Sequence, residues 1–532
     1  MNKIITLGER FITVWKSVFL DRKSKRFIEF CRKRWPKSNF DIRKSEVLVE
    51  LYSVDQTVLA FSYFANLLAE KHQSKIVSFS LSERNATLFF WRYRRIVKIY
   101  QSFNASPRIN TSISSANLGE ETSAIFNSMV QSIKTKSDVL DITINGDIIG
   151  NEIYEAYLIE KRKPTIDVHA DDFRQFLRKC IQTYLFWHDY LDSHHVTAVI
   201  LSHGIYRYGI IKTIANKKGI PVYLPSVRSL YCLKKSNEWG IPKYELYPEL
   251  FKGFPQETRS KGIAWAKNRL ELRLSGVVGV DMSYSTQSAF RRDLSSNKAL
   301  QESGRIKVLI ATHCFFDNPN CYGRNLFPDF YEWINFLGEM SEITEYDWYI
   351  KTHPDVPPGN DEVLNDLLTK YKNITRLPSD TSHLQLVEEG MSFVLTVYGS
   401  VGHECPLLGE TVINAGDKNP HIGYDFNMHI RTVEEYRSCL FNLERIEHKV
   451  DKEKIYEFYF MHYKYSGCND IFFDSFQDFL SKYSDDDQAS SCAYQYFLDE
   501  YSEEKDAILY RKLEKFIDSS DYQYHEQKVE FN

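Results

Sequence analysis

Short apolar runs that alternate with amphipathic segments are the feature that most constrains how this chain folds. The run VLVELY, residues 47–52, is almost continuously apolar, which is typical of a parallel strand buried on both faces. A helical segment and a second apolar run, KIVSFS at 75–80, follow it. Strand, helix and strand in succession form a βαβ unit, so a parallel sheet covered by helices is predicted.

The same pattern returns later and divides the chain into two series. The segment VTAVILSHGIYRYGIIKTIANKKGIPVYLPS predicts strand, polar turn, helix and strand. A second series has predicted strands at 307–311, 347–354, 374–378, 393–399 and 411–416. Helices are predicted between them, near 327–340 and at 361–371, 381–390 and 402–409. We therefore expect an α/β protein with two doubly wound, Rossmann-like domains.

At 532 residues the chain has room for two large domains. The predicted ranges are a basic arm at 1–40, a first domain at 41–300, a second at 301–430 and a helical tail at 431–532 that packs back on the body. The stretch from about 235 to 300 shows little periodicity and is expected to be irregular. Because doubly wound sheets bind ligands beyond the carboxyl ends of their strands, the site is expected in a cleft between two facing domains.

The basic arm allows two interpretations. Its apolar residues recur at helical spacing: Ile4, Leu7, Phe11, Val14, Trp15, Val18 and Phe19. The arm is either a helix packed on the body or a helix lying in the plane of an anionic inner-membrane surface. No signal-peptide cleavage site is recognised, and no stretch reaches the roughly 18 apolar residues of a membrane span. A cytoplasmic protein, at most peripheral to the membrane, is expected.

Charge and cysteine content argue against a nucleic-acid-binding protein and against a zinc site. The net charge of −4 argues against a nucleic-acid-binding protein. The nine cysteines form no CxxC pair, which favours reduced thiols. His313, Cys314 and Cys321 lack the spacing of a zinc site. No metal and no cofactor is therefore predicted.

Two strands of the second series end in residues suited to an anion. WYIKTHPD places Lys351, His353 and Pro354 at one strand end, and VLTVYGSVGHE places Thr396, Ser400 and Gly402 at another, directly before a helix. A helix N-terminus attracts negative charge, and small residues allow close approach of the backbone. Glu404 follows in the first turn, where its carboxylate can accept bonds from ribose hydroxyls. A metal-free nucleotide-phosphate site is predicted.

Residues 305–426 resemble the C-terminal half of bacterial capsule-polysaccharide glycosyltransferases, the group that includes the Kdo transferases. They are more loosely similar to bacterial sialyltransferases and teichoic-acid glycerophosphotransferases. The resemblance rests on the His-Pro motif at His353 and Pro354 and on the later motif at Ser400, Gly402 and Glu404. It implies a GT-B fold in which both motifs hold the nucleotide phosphate of a donor, often a CMP-sugar.

The loop that follows, NAGDKNPHIGYDF, is longer than the pattern in those families. We include its Asn419 and His421 among the expected donor-nucleotide residues. The predicted function is transfer of a sugar, best CMP-activated Kdo or a related acid sugar, to a glycan or glycolipid acceptor during capsule or lipopolysaccharide synthesis. A CDP-glycerol or CDP-ribitol phosphotransferase and a catalytically silent GT-B scaffold are the alternatives.

The catalytic group is expected from the first domain. His203 comes directly after a buried strand and has a near-neutral pKa suited to a general base. Glu152 in NGDIIGNEIYE and Asp281 in VDMSYS are carboxylates that can act as base or nucleophile. The sequence leaves the choice among these three open.

Overall fold

The computed structural model describes residues 20–36, 44–81, 94–110, 119–282, 285–291, 297–355, 357–466, 470–483, 491–519 and 521–525. The chain divides into two compact units. The first comprises Met1–Ile153, Val168–Ile241 and Cys468–His525, and the second comprises Tyr154–Asp167, Pro242–Gly467 and Glu526–Asn532. Within the described residues, no helix has the length and apolar composition that crossing a membrane requires.

The first unit is built on a six-stranded sheet with strand order β3-β2-β1-β6-β7-β8. Its strands are β1 (Ser45–Glu50), β2 (Ser74–Ser80), β3 (Ala105–Asn110), β6 (His195–Ile200), β7 (Val222–Pro225) and β8 (Leu230–Leu233), and a separate hairpin pairs β4 (Thr143–Ile144) with β5 (Asp147–Ile148). All pairs in the large sheet are parallel except β7 with β8. Every residue of β1 is buried, as its apolar run predicts.

Helices cover this sheet. They are α1 (Arg22–Arg34), α2 (Asp55–Lys71), α3 (Arg94–Ser102), α4 (Gly119–Ser132), α5 (Lys136–Leu140), the start of α6 (Gly150–Lys161), α7 (Asp171–Ser193) and α8 (Tyr206–Lys217). Three helices from the end of the chain belong to the same unit: α17 (Phe476–Lys482), α18 (Cys492–Glu500) and α19 (Glu503–Asp518). A common apolar core joins α1, α2, α18 and α19 to the sheet.

Helix α1 bears on the interpretation of the basic arm. Phe27 stacks on Tyr494 of α18 at 4.1 Å between ring centroids, and Phe27, Ile28 and Cys31 are buried. Residues 22–34 therefore pack on the body of the first unit. The apolar residues predicted to face a membrane, at 4–19, lie outside the described residues, so the membrane-surface interpretation stays a prediction.

The second unit contains a six-stranded, fully parallel sheet with strand order β11-β10-β9-β12-β13-β14. Its strands are β9 (Lys307–Ala311), β10 (Asp347–Lys351), β11 (Ile374–Arg376), β12 (Phe393–Thr396), β13 (Thr411–Asn414) and β14 (Met428–His429). Its helices are α9 (Tyr247–Gly253), α10 (Gln256–Leu274), α11 (Phe330–Ile343), α12 (Asn360–Lys370), α13 (His383–Glu388), α14 (Val401–Leu408), α15 (Val433–Leu440) and α16 (Lys452–Tyr459). Short 3-10 turns lie at Tyr244–Leu246 and Leu443–Arg445, and a π-helical turn lies at Phe460–Tyr465.

Both large sheets have the Rossmann strand order, in which the third, second and first strands precede the fourth, fifth and sixth. Two such α/β units in one chain form the architecture of GT-B proteins, as predicted. The strands predicted in the second series are confirmed at β9 to β13.

Packing divides the chain differently from the predicted ranges. The unit boundary lies at 241 rather than 300, and the C-terminal tail is split between the units at 467. The stretch from 235 to 300 is not uniformly irregular, because it contains α9 and the 19-residue α10. Few residues of α10 are buried, so the helix lacks a broad apolar stripe and gives a weak periodic signal.

Candidate functional site

The second unit holds a cavity of about 690 Å³ at the carboxyl ends of its strands. Its wall includes residues that follow β9, β10 and β12, together with the first turn of α14. Of the predicted nucleotide residues, the wall contains Lys351, His353, Pro354, Thr396, Ser400, Glu404 and His421. This is the position where a doubly wound sheet binds ligands.

The orientation of His353 is fixed by the turn that follows β10. The backbone N–H of Asp355 donates to Nδ1 of His353 at 3.0 Å. Since Nδ1 is an acceptor, the proton of the neutral ring is on Nε2, which is then a donor. Asp355 is itself held by the backbone N–H of Thr286 at 3.0 Å and by the Thr286 hydroxyl. Desolvation lowers the pKa of His353, so the ring can donate one hydrogen bond at neutral pH without carrying charge.

Lys351, the last residue of β10, supplies one of the positive charges of the cavity wall. Its side chain is only 4% exposed, and burial lowers the pKa of its ammonium to about 8. No hydrogen bond or ion pair among the described residues involves that ammonium group. A buried cation without a paired anion is costly, and an anionic ligand in the cavity would provide the missing partner.

Thr396 shapes the turn that follows β12. Its hydroxyl accepts from the backbone N–H of Gly399 at 3.1 Å and lies 3.1 Å from Nε2 of His313. Nε2 of His313 also accepts from the backbone N–H of Val397 at 3.2 Å. Burial lowers the pKa of His313 to about 3, so the ring stays neutral. Thr396, predicted to bind phosphate directly, therefore has a hydroxyl already used to hold the turn that carries Ser400.

Ser400 is the N-cap residue of α14 and stands at the positive end of that helix. The N–H groups of His403 and Glu404 already bond to its carbonyl, and that of Gly402 bonds to Gly399. The hydroxyl of Ser400 lines the cavity and donates to Oε2 of Glu404 at 3.2 Å, so it has to rotate away from that carboxylate before it can donate to an anion in the cavity. Because the N–H of Gly402 is already bonded, this residue does not offer a donor to the cavity, and its missing side chain leaves room for the ring of His421. A Cβ there would lie 2.4 Å from Cε1 of His421.

Glu404 forms a buried ion pair with Arg273 of α10. Its side chain is 2% exposed. The carboxylate predicted to accept bonds from ribose hydroxyls is therefore already bonded to Arg273. The sequence did not predict this partner. Arg273 also lines the cavity, so the pair places a guanidinium group in the wall beside the helix N-terminus.

The loop after β13 has a structural role that separates its two predicted residues. Asn419 is 1% exposed and its amide holds the loop, donating to the carbonyl of Gly416 at 3.0 Å and accepting from the N–H of His421 at 2.9 Å. His421 reaches the cavity wall, where its Nε2 lies 3.1 Å from Nδ1 of His403. Asn419 thus positions His421, and its predicted direct contact with nucleotide has no geometric support here.

In the first unit, His203 belongs to a hydrogen-bonded chain that ends at a buried carboxylate. Oε2 of Glu50, the last residue of β1, accepts from both the backbone N–H and the hydroxyl of Ser202 at 2.7 Å. The Ser202 hydroxyl lies 2.9 Å from Nδ1 of His203. Since that hydroxyl donates to Glu50, Nδ1 of His203 carries the proton and Nε2 is the acceptor. This is the tautomer that a general base requires.

The sequence did not predict Glu50 as the carboxylate at the end of this hydrogen-bonded chain. It is fully buried, and burial raises the pKa of its carboxyl to about 7. Its only sequence signal is a single charge inside the apolar run VLVELY. A raised carboxyl pKa beside a histidine at the carboxyl edge of a doubly wound sheet is a feature of functional sites.

The two other predicted catalytic carboxylates are both engaged in ion pairs. Glu152 is 6% exposed, lies 3.6 Å from the Lys212 ammonium and accepts from the Thr213 hydroxyl. Asp281 belongs to the second unit rather than the first. It forms two bonds of 3.0 Å with Arg269 and accepts from the Tyr459 hydroxyl at 2.8 Å. Both carboxylates are therefore already engaged by cationic and hydroxyl partners.

No protein-family model and no curated protein sequence matches the chain. Among solved structures, similarity is found to Thermosulfurimonas dismutans KpsC, a beta Kdo 2,4 transferase, with 14% identity, a TM-score of 0.30, and coverage of 50% of this chain and 79% of that one. UDP-GlcNAc 2-epimerase from Neisseria meningitidis bound to UDP-GlcNAc gives 10% identity, a TM-score of 0.21, and coverage of 78% and 96%. E. coli ADP-heptose lps heptosyltransferase II gives 10% identity, a TM-score of 0.20, and coverage of 75% of this chain and 99% of that one. Values this low carry no argument about activity.

Proposed function

We propose that the protein is a glycosyltransferase that takes a sugar from a nucleotide donor bound in the cavity of the second unit and transfers it to a glycan acceptor. The observation that carries the proposal is the convergence of His353, Lys351 and the N-terminus of α14 on one cavity wall. The neutral imidazole N–H of His353, the buried ammonium group of Lys351 and the positive end of α14 can together stabilise a phosphate group that gains negative charge as the sugar leaves.

The proposal extends to the donor class through the motif resemblance. His353 and Pro354, followed by Ser400, Gly402 and Glu404, resemble the two motifs with which capsule glycosyltransferases hold the nucleotide phosphate of a donor, often a CMP-sugar. We therefore propose a CMP-sugar donor and an acceptor in surface-polysaccharide synthesis. The phosphate-binding groups are all supplied by side chains and a helix terminus, so the reaction proposed at this wall needs no metal.

His203 is the proposed general base. Its Nε2 takes the proton of the acceptor hydroxyl as that oxygen attacks the anomeric carbon, while the nucleotide phosphate departs with the electrons of the broken bond. Ser202 and Glu50 fix the ring tautomer and favour the imidazolium form once the proton has been taken. The arrangement fits a single displacement better than a covalent intermediate, because the base candidate is an imidazole.

The experiment separates the proposed reaction from its alternatives. Full-length protein is incubated separately with CMP-sugars, CDP-glycerol and CDP-ribitol, with and without glycan acceptors, and CMP release is measured. The proposal expects acceptor-dependent CMP release from a CMP-sugar only. Release from a CDP-polyol would identify a phosphotransferase, and nucleotide binding without turnover would indicate a catalytically silent protein.

The matched variants test the division of roles. His203→Ala is expected to abolish transfer while nucleotide affinity stays unchanged. His353→Ala, in contrast, is expected to weaken nucleotide affinity. His194→Ala, an exposed histidine of the first unit, is the control and should alter neither measurement.

A further inference from the structure

Three side chains of metal-ligand type are buried together in the second unit. They are His383 at the start of α13, Cys405 in α14 and Glu410, which follows α14. One donor atom from each lies within 4.8 Å of the other two. Their exposed fractions are 4%, 0% and 2%. Neither the predicted nucleotide site nor the proposed reaction uses any of the three.

Several polar atoms of this cluster are buried without a hydrogen-bond partner among the described residues. They are Nδ1 of His383 and, apart from a contact with the Cys405 thiol, both carboxylate oxygens of Glu410. Leaving a buried polar group unsatisfied costs about 1–3 kcal/mol. Native structures contain few such groups, and unsatisfied atoms gathered at one place are explained by a water molecule, an ion or a ligand between them.

The donor set identifies the ligand as a soft divalent cation. Imidazole, thiolate and carboxylate are the three zinc ligands, whereas Mg²⁺ and Ca²⁺ prefer oxygen alone. A thiolate and a carboxylate balance the two charges of Zn²⁺, so the assembly would be neutral in its buried position. Zinc bonds of about 2.0–2.3 Å in tetrahedral geometry separate the donors by about 3.4 Å. The donor atoms lie within 4.8 Å of one another, so binding would draw the three side chains closer together.

We propose that His383, Cys405 and Glu410 bind one Zn²⁺ ion. His383 also lines the cavity of the second unit, so an ion could reach the cluster from that side. The ion would fix α13 to α14 and thereby hold the helix whose N-terminus faces the cavity. The cluster lies within electrostatic range of Lys351, but its test needs no nucleotide.

Burial favours the uncharged form of all three groups, which metal binding would have to reverse at Cys405 and Glu410. It raises the pKa of the Cys405 thiol, raises that of Glu410 to about 7, and lowers that of His383. Metal-free protein at pH 7 therefore keeps the thiol protonated and the imidazole neutral. Since zinc binds a thiolate and a carboxylate, loading is expected to release protons, and affinity is expected to rise with pH.

The test is a Co²⁺ titration of full-length protein that has been stripped of metal by a chelator. Co²⁺ reports thiolate ligation through a charge-transfer absorption band and is displaced by Zn²⁺. One equivalent per chain is expected to produce the band in the wild type, and one equivalent of Zn²⁺ to abolish it. Absence of the band in folded wild-type protein would overturn the proposal.

Variants assign the ligands. Cys405→Ser is expected to lose the band, and His383→Gln and Glu410→Gln to bind Co²⁺ at least tenfold more weakly. Cys439→Ser, a half-buried thiol of the same unit, is the matched control and should keep the band. A band that survives in Cys405→Ser would contradict the assignment. If Cys405→Ser does not fold, the near-isosteric Glu410→Gln decides the question, because unchanged affinity there would exclude the site.

Discussion

The backbone N–H of Asp355 donates a 3.0 Å hydrogen bond to Nδ1 of His353. This single contact determines which ring nitrogen can act as a donor toward the cavity. It also depends on a local turn, since Asp355 is anchored by Thr286 from a segment 69 positions earlier. The His-Pro motif is therefore more than a strand end, because the residue after the proline fixes the tautomer of its histidine.

Lys351→Met is expected to stabilise the protein and to weaken nucleotide binding. The substitution removes a cation that is buried without a paired anion, so the midpoint of thermal unfolding should rise. Loss of a charge-assisted interaction should reduce nucleotide affinity at least tenfold. Thermal unfolding and calorimetric titration measure the two effects.

The exposed Lys372 of the same unit provides the control. Lys372→Met should leave both quantities unchanged. A destabilised Lys351→Met protein with normal nucleotide affinity would indicate that Lys351 has a structural role only.

Glu50→Gln is expected to change how stability depends on pH. The pKa of Glu50 is raised from 4.5 to about 7 by burial, so between these values the unfolded chain releases a proton that the folded protein retains. The free energy of unfolding of the wild type should therefore fall by about 3 kcal/mol from this group as pH rises from 4.5 to 7, and then level off.

The Glu50→Gln variant has no titrating carboxyl at this position, so it should lose this decrease. Its stability relative to the wild type should increase with pH across the same window. Urea unfolding at pH 5 and pH 8 measures the difference. Identical pH dependence in the two proteins would show that Glu50 is not buried in its raised-pKa state.

Gly402→Ala is expected to destabilise the protein by about 1–3 kcal/mol, because a new Cβ would overlap the ring of His421. That Cβ would lie 2.4 Å from Cε1 and 2.6 Å from Nδ1 of the ring. Adding His421→Ala should recover part of the loss. Gly253→Ala is the control, since no atom lies within 4 Å of its Cβ position. Denaturant unfolding measures all four proteins, and an undisturbed Gly402→Ala variant would contradict the packing described.

The strands of the second unit were predictable because each is a short apolar run bounded by polar turn residues. The same property placed Lys351, His353 and Ser400 at the carboxyl edge of a sheet. The helix Gln256–Leu274 was not predictable in this way, since only four of its residues are buried. Its sequence consequently resembles that of an exposed, irregular segment.

Partners that are distant in the sequence were the main features that the sequence did not predict. Arg273 pairs with Glu404 across 131 positions, and Ser202 bonds to Glu50 across 152. No local period connects such residues, so sequence alone could assign Glu404 to ribose and leave Glu50 as an ordinary strand residue. The sequence also did not show that the amide of Asn419 bonds to the backbone of its own loop, because such contacts depend on the loop conformation.

Calorimetric titration of the wild type, His353→Ala and Ser400→Ala with CMP, CDP, UDP and GDP tests the central claim most directly. We expect a cytidine nucleotide to bind at one site per chain. We also expect each substitution to weaken binding about ten- to a hundredfold, the loss of roughly 1.5–3 kcal/mol from one charge-assisted hydrogen bond, while far-UV circular dichroism stays unchanged. Equal affinity in all three proteins, or no binding of any of the four nucleotides by the wild type, would contradict this claim.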